Sequence, residues 1–261
     1  MSKALLAVSF GTSYEATRKA TLEAIEKALI AAFPDRIFYR AWTSGRILKK
    51  LKANGGPVYD TLTEALERMA ADGVTDVLVQ PTFMLDGYEM KMTADIVGQW
   101  AGRFEALTLG RPLLDGAEDL AALARLLEQT FAEQVAPGEM LAFMGHGSED
   151  TAENMYKLLK ESFERDGFGR FSVGTVEFDP GFAPVLAQAK RDKPAAVWLA
   201  PLMVVAGDHA TNDMAGDEED SWKSMLEKEG FTVRCVMKGM GEYPAIWDMY
   251  VQHAKAAKVI G

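Results

Sequence analysis

Three residues that follow apolar segments in the second half of the chain have side chains that can bind a divalent metal. His146 lies in a Gly-His-Gly turn directly after the apolar run 141–144, and His209 follows a second apolar run at 195–205. Glu177 follows a third segment of this kind. Two imidazoles and one carboxylate suit a borderline divalent cation such as Co²⁺, Fe²⁺, Ni²⁺ or Zn²⁺. The sequence therefore predicts a metal site formed by His146, Glu177 and His209.

Histidine is scarce in this chain, and its placement favours the metal interpretation. A single histidine is more often a hydrogen-bonded polar residue than a ligand, but two of the 3 histidines here follow equivalent strands. The spacing is less specific than paired Cys-x-x-Cys motifs are, so an ordinary polar role stays open. The third histidine, His253, is expected to be a packing or surface residue on the last helix.

The order of the apolar and amphipathic segments predicts how these residues come together. Continuous apolar strands alternate with amphipathic helices, which is the βαβ pattern of a parallel, doubly wound sheet. Strands of this kind are covered by helices on both faces. In open parallel sheets the carboxyl ends of the strands line the ligand crevice, so three residues that are distant in sequence can meet there.

The boundaries of the elements follow from turn and capping residues. A first amphipathic helix of about 20 residues follows Gly11-Thr12-Ser13 and is broken at Phe33-Pro34-Asp35. The strands are predicted at 3–10, 36–42, 76–84, 107–109, 140–144, 171–176, 195–205 and 231–237, and the helices of the second half at 151–166, 182–191, 217–229 and 244–259.

The two halves of the chain resemble each other and predict two lobes. The segment 135–138, Val-Ala-Pro-Gly, is the expected boundary, with an α/β lobe at 1–134, a second at 138–240 and a last helix at 244–259. The first half carries Phe10, Trp42 and Glu89 where the second half carries the three metal-ligand candidates. The fold class is therefore α/β, with two similar lobes, each a parallel sheet flanked by helices, that face each other across a cleft. The metal site should belong to the second lobe alone.

Residues near the predicted turns could contact a substrate. Phe10, Leu85 and Met203 are placed to form an apolar slot for a ring. Ser9 and Thr12 lie where the amino terminus of a helix could bind anionic groups through backbone N–H groups. The alternative for these two residues is simple helix capping.

Composition excludes several classes of protein. The net charge of −10 argues against nucleic acid as a partner, because nucleic-acid binding needs concentrated Lys and Arg. Glycine-rich nucleotide motifs are absent, and no apolar run approaches the ~20 residues of a membrane helix. The amino terminus lacks a signal-peptide pattern, so we expect a cytoplasmic protein. One cysteine excludes an internal disulfide, and the oligomeric state, a homo-oligomer included, stays open.

Three stretches resemble the sirohydrochlorin cobaltochelatases, which are the anaerobic cobalt chelatases of cobalamin synthesis and belong to the class II chelatases. They are residues 4–14, 143–147 and 201–214, of which the last, Pro-Leu-Met-Val-Val-Ala-Gly-Asp-His-Ala-Thr-Asn-Asp-Met, is the most specific. The resemblance runs over nearly the whole chain. It implies two flavodoxin-like lobes, with the final helix packed back toward the first. It also implies that the three candidate ligands bind cobalt and that His146 accepts a proton.

The resemblance thus implies an enzyme that inserts Co²⁺ into sirohydrochlorin, a precorrin-2-type tetrapyrrole, without an organic cofactor. Insertion releases two pyrrole protons, and a neutral imidazole is a suitable acceptor. Glu89 could relay protons in the first lobe or cap its own helix. The alternatives are a non-catalytic metal-delivery protein and a ferrochelatase that acts on the same macrocycle on the route to sirohaem. A mononuclear metallohydrolase is a weaker alternative, since the sequence offers no general base for it.

Overall fold

The computed structural model describes residues 2–147 and 153–260 and divides them into two α/β units. Residues up to Asp115, together with those from Gly241 onward, form the first unit, and Gly116–Met240 form the second. The strands are β1 (Lys3–Ser9), β2 (Ile37–Trp42), β3 (Asp76–Pro81), β4 (Ala106–Leu109), β5 (Met140–Gly145), β6 (Phe171–Thr175), β7 (Val197–Pro201), β8 (Val233–Cys235) and β9 (Lys258–Val259). The helices are α1 (Glu15–Ala20), α2 (Leu22–Ala32), α3 (Gly45–Ala53), α4 (Leu62–Ala71), α5 (Tyr88–Gly98), α6 (Ala117–Phe131), α7 (Glu153–Arg165), α8 (Ala183–Asp192), α9 (Trp222–Lys228) and α10 (Pro244–Lys255).

Each unit contains one sheet with a buried central strand. The first sheet has the order β2-β1-β3-β4-β9, and the second has the order β6-β5-β7-β8. All neighbouring strands are parallel except β9, which runs antiparallel to β4. The central strands β1 and β5 are buried along almost their whole length. Burial on both faces explains why these segments are continuous apolar runs instead of alternating ones.

The two sheets share one strand order, which accounts for the similarity of the two halves of the sequence. In each sheet the second strand along the chain lies on one side of the first strand, and the third lies on the other side. The winding direction therefore reverses between β1 and β3, and again between β5 and β7. The predicted class, parallel sheets flanked by helices in two similar units, is confirmed.

The first helix is not continuous, in contrast to the prediction. It is divided into α1 and α2 at Thr21, where the backbone leaves the helical region at φ −115° and ψ −81°. The Thr21 side chain is fully buried, and its hydroxyl donates to the Thr17 carbonyl at 2.6 Å. A threonine hydroxyl that bonds the preceding turn bends a helix, so this β-branched residue ends α1.

Several elements of the second unit are shorter than predicted. The strand expected at 195–205 is only the five residues of β7, and the helix expected from 217 begins at Trp222. Ser221 sets that start, because its side-chain oxygen accepts from the Ser224 N–H at 3.1 Å. Between them lies a π-helical turn, Ala210–Met214, that the sequence did not indicate. The predicted start of the helix at 151 lies outside the described residues.

The expected boundary at 135–138 is wrong, because α6 belongs to the second unit. This helix packs on α7, and its Phe131 ring lies edge-on against Phe143 of β5, with ring centroids 5.4 Å apart. The last helix, α10, belongs to the first unit and packs on α2. Its Tyr250 hydroxyl contacts the backbone oxygens of Thr82 and Phe83 at 3.1 Å. No helix in the described part of the chain has both the length and the apolar character that a membrane crossing requires.

Candidate metal centre

The three predicted ligands follow three adjacent strands of the second sheet. His146 comes directly after β5, Glu177 comes two residues after β6, and His209 lies beyond the loop that follows β7. Because parallel strands present their carboxyl ends at one edge, the order β6-β5-β7 brings these residues to a common place. The strand order reverses between β5 and β7, and sheets of this kind bind ligands at the carboxyl ends of the strands beside such a reversal.

The ligand atoms of these residues lie close enough to share one ion. One donor atom from each of His146, Glu177 and His209 lies within 4.8 Å of the other two. His146 Nε2 is 3.9 Å from Glu177 Oε2, and the two imidazole rings are nearly perpendicular, with centroids 4.9 Å apart. Bonds of about 2.1 Å to a tetrahedral ion separate its donors by roughly 3.4 Å. Small side-chain rotations would therefore close the cluster around a cation.

Hydrogen bonds at the far ring nitrogens determine which atom of each histidine can bind metal. His146 Nδ1 lies 3.2 Å from the Gly147 carbonyl oxygen, and His209 Nδ1 lies 2.9 Å from Asp213 Oδ2. A carbonyl and a carboxylate only accept hydrogen bonds, so each Nδ1 must carry the proton. A neutral imidazole that donates from Nδ1 has its Nε2 lone pair available, and this is the form that coordinates metals.

The site is open to solvent. Half of the side-chain surface of His146 and of Glu177 is exposed (49% each), and 33% of that of His209. A structural zinc site is closed by four protein ligands, whereas a site with three ligands leaves positions for an incoming group. The geometry therefore suits a metal that is bound and passed on.

Close backbone contacts fix the turn that carries His146. Gly147 has φ +94°, and a Cβ at this position would collide with the Glu177 carbonyl. The Glu177 N–H donates to the His146 carbonyl at 2.9 Å, which continues the β5–β6 pairing beyond the strands. The Tyr156 hydroxyl accepts from the Gly147 N–H at 3.3 Å, and burial raises the pKa of this phenol. The glycine is thus required for the approach of the two ligand-bearing segments.

The matched positions in the first unit differ in kind. Trp42, the last residue of β2, is fully buried, and its ring lies 4.0 Å from that of Tyr59. Phe10, directly after β1, has 48% of its surface exposed. Glu89 lies in the first turn of α5, and its Oε2 is buried without a hydrogen-bond partner among the described residues. Two of the three positions therefore carry no metal-ligating side chain.

The other predicted contact residues have different surroundings. Ser9 is fully buried, with its hydroxyl 2.8 Å from that of Thr82, and Thr12 is buried and accepts from the Tyr14 N–H at 3.2 Å. Leu85 is half-buried and bridges to Leu114. Met203 is half-buried against the core of the second unit. Exposure makes Phe10 the most accessible of the predicted contacts, whereas the Ser9 side chain is part of the interior.

The sequence interpretation missed two residues beside the centre. Asp213 bonds His209, and its spacing of four residues would have indicated this contact had a helix been expected there. Phe178, next to Glu177, is 46% exposed and has φ +58°, which is uncommon for an aromatic residue. The Thr175 hydroxyl holds this loop by donating to the Phe178 carbonyl and accepting from the Gly181 N–H, both at 2.9 Å.

Comparisons with known proteins agree with this geometry. The family model described as Cobalt chelatase (CbiK) matches residues 3–259. The sirohydrochlorin cobaltochelatase of Salmonella typhimurium is 39% identical over 257 residues, which are 98% of this chain and 97% of that protein. The sirohydrochlorin cobaltochelatase CbiKC of Nitratidesulfovibrio vulgaris is 31% identical, over 98% of this chain and 90% of its own. Among solved structures, SirB from Bacillus subtilis with Fe³⁺ has the same fold, with a TM-score of 0.67 at 13% identity over 98% of this chain and 95% of its own.

Proposed function

Because this chain belongs to the cobalt chelatase family, we propose that it inserts Co²⁺ into sirohydrochlorin on the anaerobic route to cobalamin. The relatives that match along nearly their full length carry this activity in their names. The observation that carries the proposal is the cluster of His146, Glu177 and His209, whose donor atoms lie within 4.8 Å of one another. The reaction needs a metal that is held loosely and a base for the pyrrole protons.

The centre has the chemistry for both tasks. Glu177 and the two Nε2 atoms bind the incoming cation, which is the substrate metal. His146 Nε2 can hold the metal or accept a pyrrole proton, but one lone pair cannot do both at once. We therefore assign proton acceptance to His146 after the metal has begun to transfer. The ligand set also suits Fe²⁺, Ni²⁺ and Zn²⁺, so we propose that these ions can substitute.

We assign proton relay to Glu89 as a further part of the proposal. Its Oε2 is buried and has no hydrogen-bond partner among the described residues, so that oxygen is not used to cap α5. An oxygen without a partner can take up a proton. Phe10, Ser9, Thr12, Leu85 and Met203 stay predicted contacts of the tetrapyrrole, and the buried side chains of Ser9 and Thr12 make those two contacts the least direct.

Insertion can be followed by the visible spectrum of purified protein mixed with sirohydrochlorin and Co²⁺. His146→Ala and His209→Ala should each lower the insertion rate at least about 100-fold, as expected for loss of a general base or a metal ligand. Glu89→Gln should lower kcat about tenfold. Glu218→Ala, a change at an exposed position, should leave the rate unchanged.

Three outcomes would contradict parts of the proposal. Wild-type rates in both histidine variants would remove the metal-site assignment. Tight Co²⁺ binding by the wild-type protein without insertion would identify a delivery protein. Faster insertion of Fe²⁺ than of Co²⁺ would identify a ferrochelatase that acts on the same macrocycle.

A further inference from the structure

Asp213 holds one of the two histidines of the centre in a way that the other histidine does not share. Asp213 Oδ2 lies 2.9 Å from His209 Nδ1, whereas His146 Nδ1 is bonded at 3.2 Å to a neutral carbonyl, that of Gly147. Hydrogen bonds to a charged acceptor are shorter and stronger than those to a neutral one. A carboxylate on the far nitrogen of a ligating histidine fixes the ring and increases its strength as a ligand.

Asp213 lies in the π-helical turn Ala210–Met214. Its closing bond runs from the Ala215 N–H to the Ala210 carbonyl at 3.2 Å, which is five residues instead of four. His209 directly precedes the turn, and the Asp213 carboxylate, four residues further on, reaches its Nδ1. Gly216 follows the turn, where a Cβ would collide with the Asn212 carbonyl. Turns of this type inside helices occur frequently at functional sites.

We propose that Asp213 is a positioning residue that makes His209 the anchoring ligand for Co²⁺, an inference that rests on the proposed function. His209 then keeps the metal while His146, held only by a backbone carbonyl, leaves it and accepts the pyrrole proton. The unequal hydrogen bonds of two otherwise similar histidines would thus separate two tasks that one lone pair cannot perform together. Asp213 itself touches neither the metal nor the tetrapyrrole in this role.

The test is the affinity of the protein for Co²⁺ in the absence of tetrapyrrole, measured by titration calorimetry and by the visible absorption of the bound ion. Asp213→Ala should weaken Co²⁺ binding about 10- to 100-fold, the range found when a partner of a ligating histidine is removed. Asp213→Asn should recover part of this loss, since its amide oxygen still accepts from Nδ1. The absorption should change in shape, because a freely rotating imidazole alters the coordination of the ion.

A matched control separates positioning from a loss of charge. Asp217 lies four residues further on and is bonded to Lys223 at 2.7 Å, with 95% of its side chain exposed. Asp217→Asn should change the Co²⁺ affinity by less than about twofold, as expected for a surface charge. In steady-state assays Asp213→Ala should raise the KM for Co²⁺ more than it lowers kcat.

The outcomes distinguish this inference from the proposed function. If Asp213→Ala binds Co²⁺ as tightly as the wild type while His209→Ala does not, the positioning role is overturned and the proposed function stands. Equal losses in Asp213→Ala and Asp217→Asn would also overturn it, in favour of a general electrostatic effect. Absence of insertion by the wild-type protein would overturn the proposed function instead.

Discussion

The two units of this chain have one strand order but use the ends of their strands differently. In the second unit, the ends of β5, β6 and β7 lead to two imidazoles, of which that of His209 is half-buried, and an exposed carboxylate, with one donor atom of each within 4.8 Å of the others. In the first unit, the end of β2 is occupied by a fully buried tryptophan, Trp42. The same topology can thus support packing or chemistry at equivalent positions.

Packing around Trp42 shows why the first unit cannot simply be given a metal site. The Trp42 ring lies 4.0 Å from the Tyr59 ring, and a Cβ at Gly11 would lie 2.6 Å from it. Glu177, at the matched position, has half of its side chain exposed. A ligand needs a position that packing does not require, and only the second unit leaves that position free.

The largest expected effect comes from giving the first unit the carboxylate of the second. Trp42→Glu should lower the free energy of unfolding by about 3–5 kcal/mol, because it removes a large buried ring and buries an unpaired charge. Glu177→Gln should change that free energy by less than about 0.5 kcal/mol but weaken Co²⁺ binding. Chemical denaturation and cobalt titration of both variants measure the contrast. Similar stabilities for the two variants would mean that the two positions do not differ as described.

A smaller effect distinguishes the glycines after the two central strands. Gly11 and Gly147 both have positive φ, +97° and +94°, so the backbone strain alone should make Gly11→Ala and Gly147→Ala each destabilise the fold by at least about 1–2 kcal/mol. The new methyl group meets the Trp42 side chain in the first case and the Glu177 backbone in the second. Only Gly147→Ala should therefore lower the Co²⁺ affinity, by about tenfold. Equal cobalt affinities in both variants would contradict the role of Gly147 in joining the two ligand segments.

The smallest effect concerns one buried carboxyl group in each unit. Burial raises the pKa of Glu26, which is paired with Arg40, and of Glu128, whose pKa Asp166 raises further. A carboxyl group whose pKa is raised by folding contributes to the free energy of unfolding at low pH, and this contribution is lost as the pH rises through the raised pKa. Glu128 Oε1 has no hydrogen-bond partner among the described residues. Glu128→Gln should therefore increase the free energy of unfolding near pH 7 by up to about 1 kcal/mol and have no effect near pH 3.

Glu26→Gln should increase the free energy of unfolding less, because the Arg40 guanidinium pairs with the Glu26 carboxylate and offsets part of the cost of burying its charge. A change of less than about 0.5 kcal/mol is expected. Denaturation curves at the two pH values measure both variants. Destabilisation by Glu128→Gln at neutral pH would show that this carboxylate is stabilised by its neighbours after all.

Much of the fold could be predicted from local patterns. The buried runs that became β1 and β5 carry their apolar character in consecutive residues, so their identity as central parallel strands was readable. The break in the first helix was not readable, because a threonine within an amphipathic pattern does not by itself show whether its hydroxyl will bond the preceding turn, as Thr21 does in its buried position. The assignment of α6 failed for a similar reason, since its contact with Phe143 joins segments on either side of the expected boundary.

For the centre itself, the sequence alone determined which residues could bind metal and that each follows the end of a strand, because residue type and the succession of segments are properties of the chain. Tertiary structure decided which acceptor lies against each imidazole, the burial of Trp42 and the π-helical turn that contains Asp213. These depend on hydrogen-bond acceptors and packing atoms whose positions exist only once the backbone has folded. The metal-binding residue types are therefore set by the local sequence, whereas the orientation of their side chains is set by the fold.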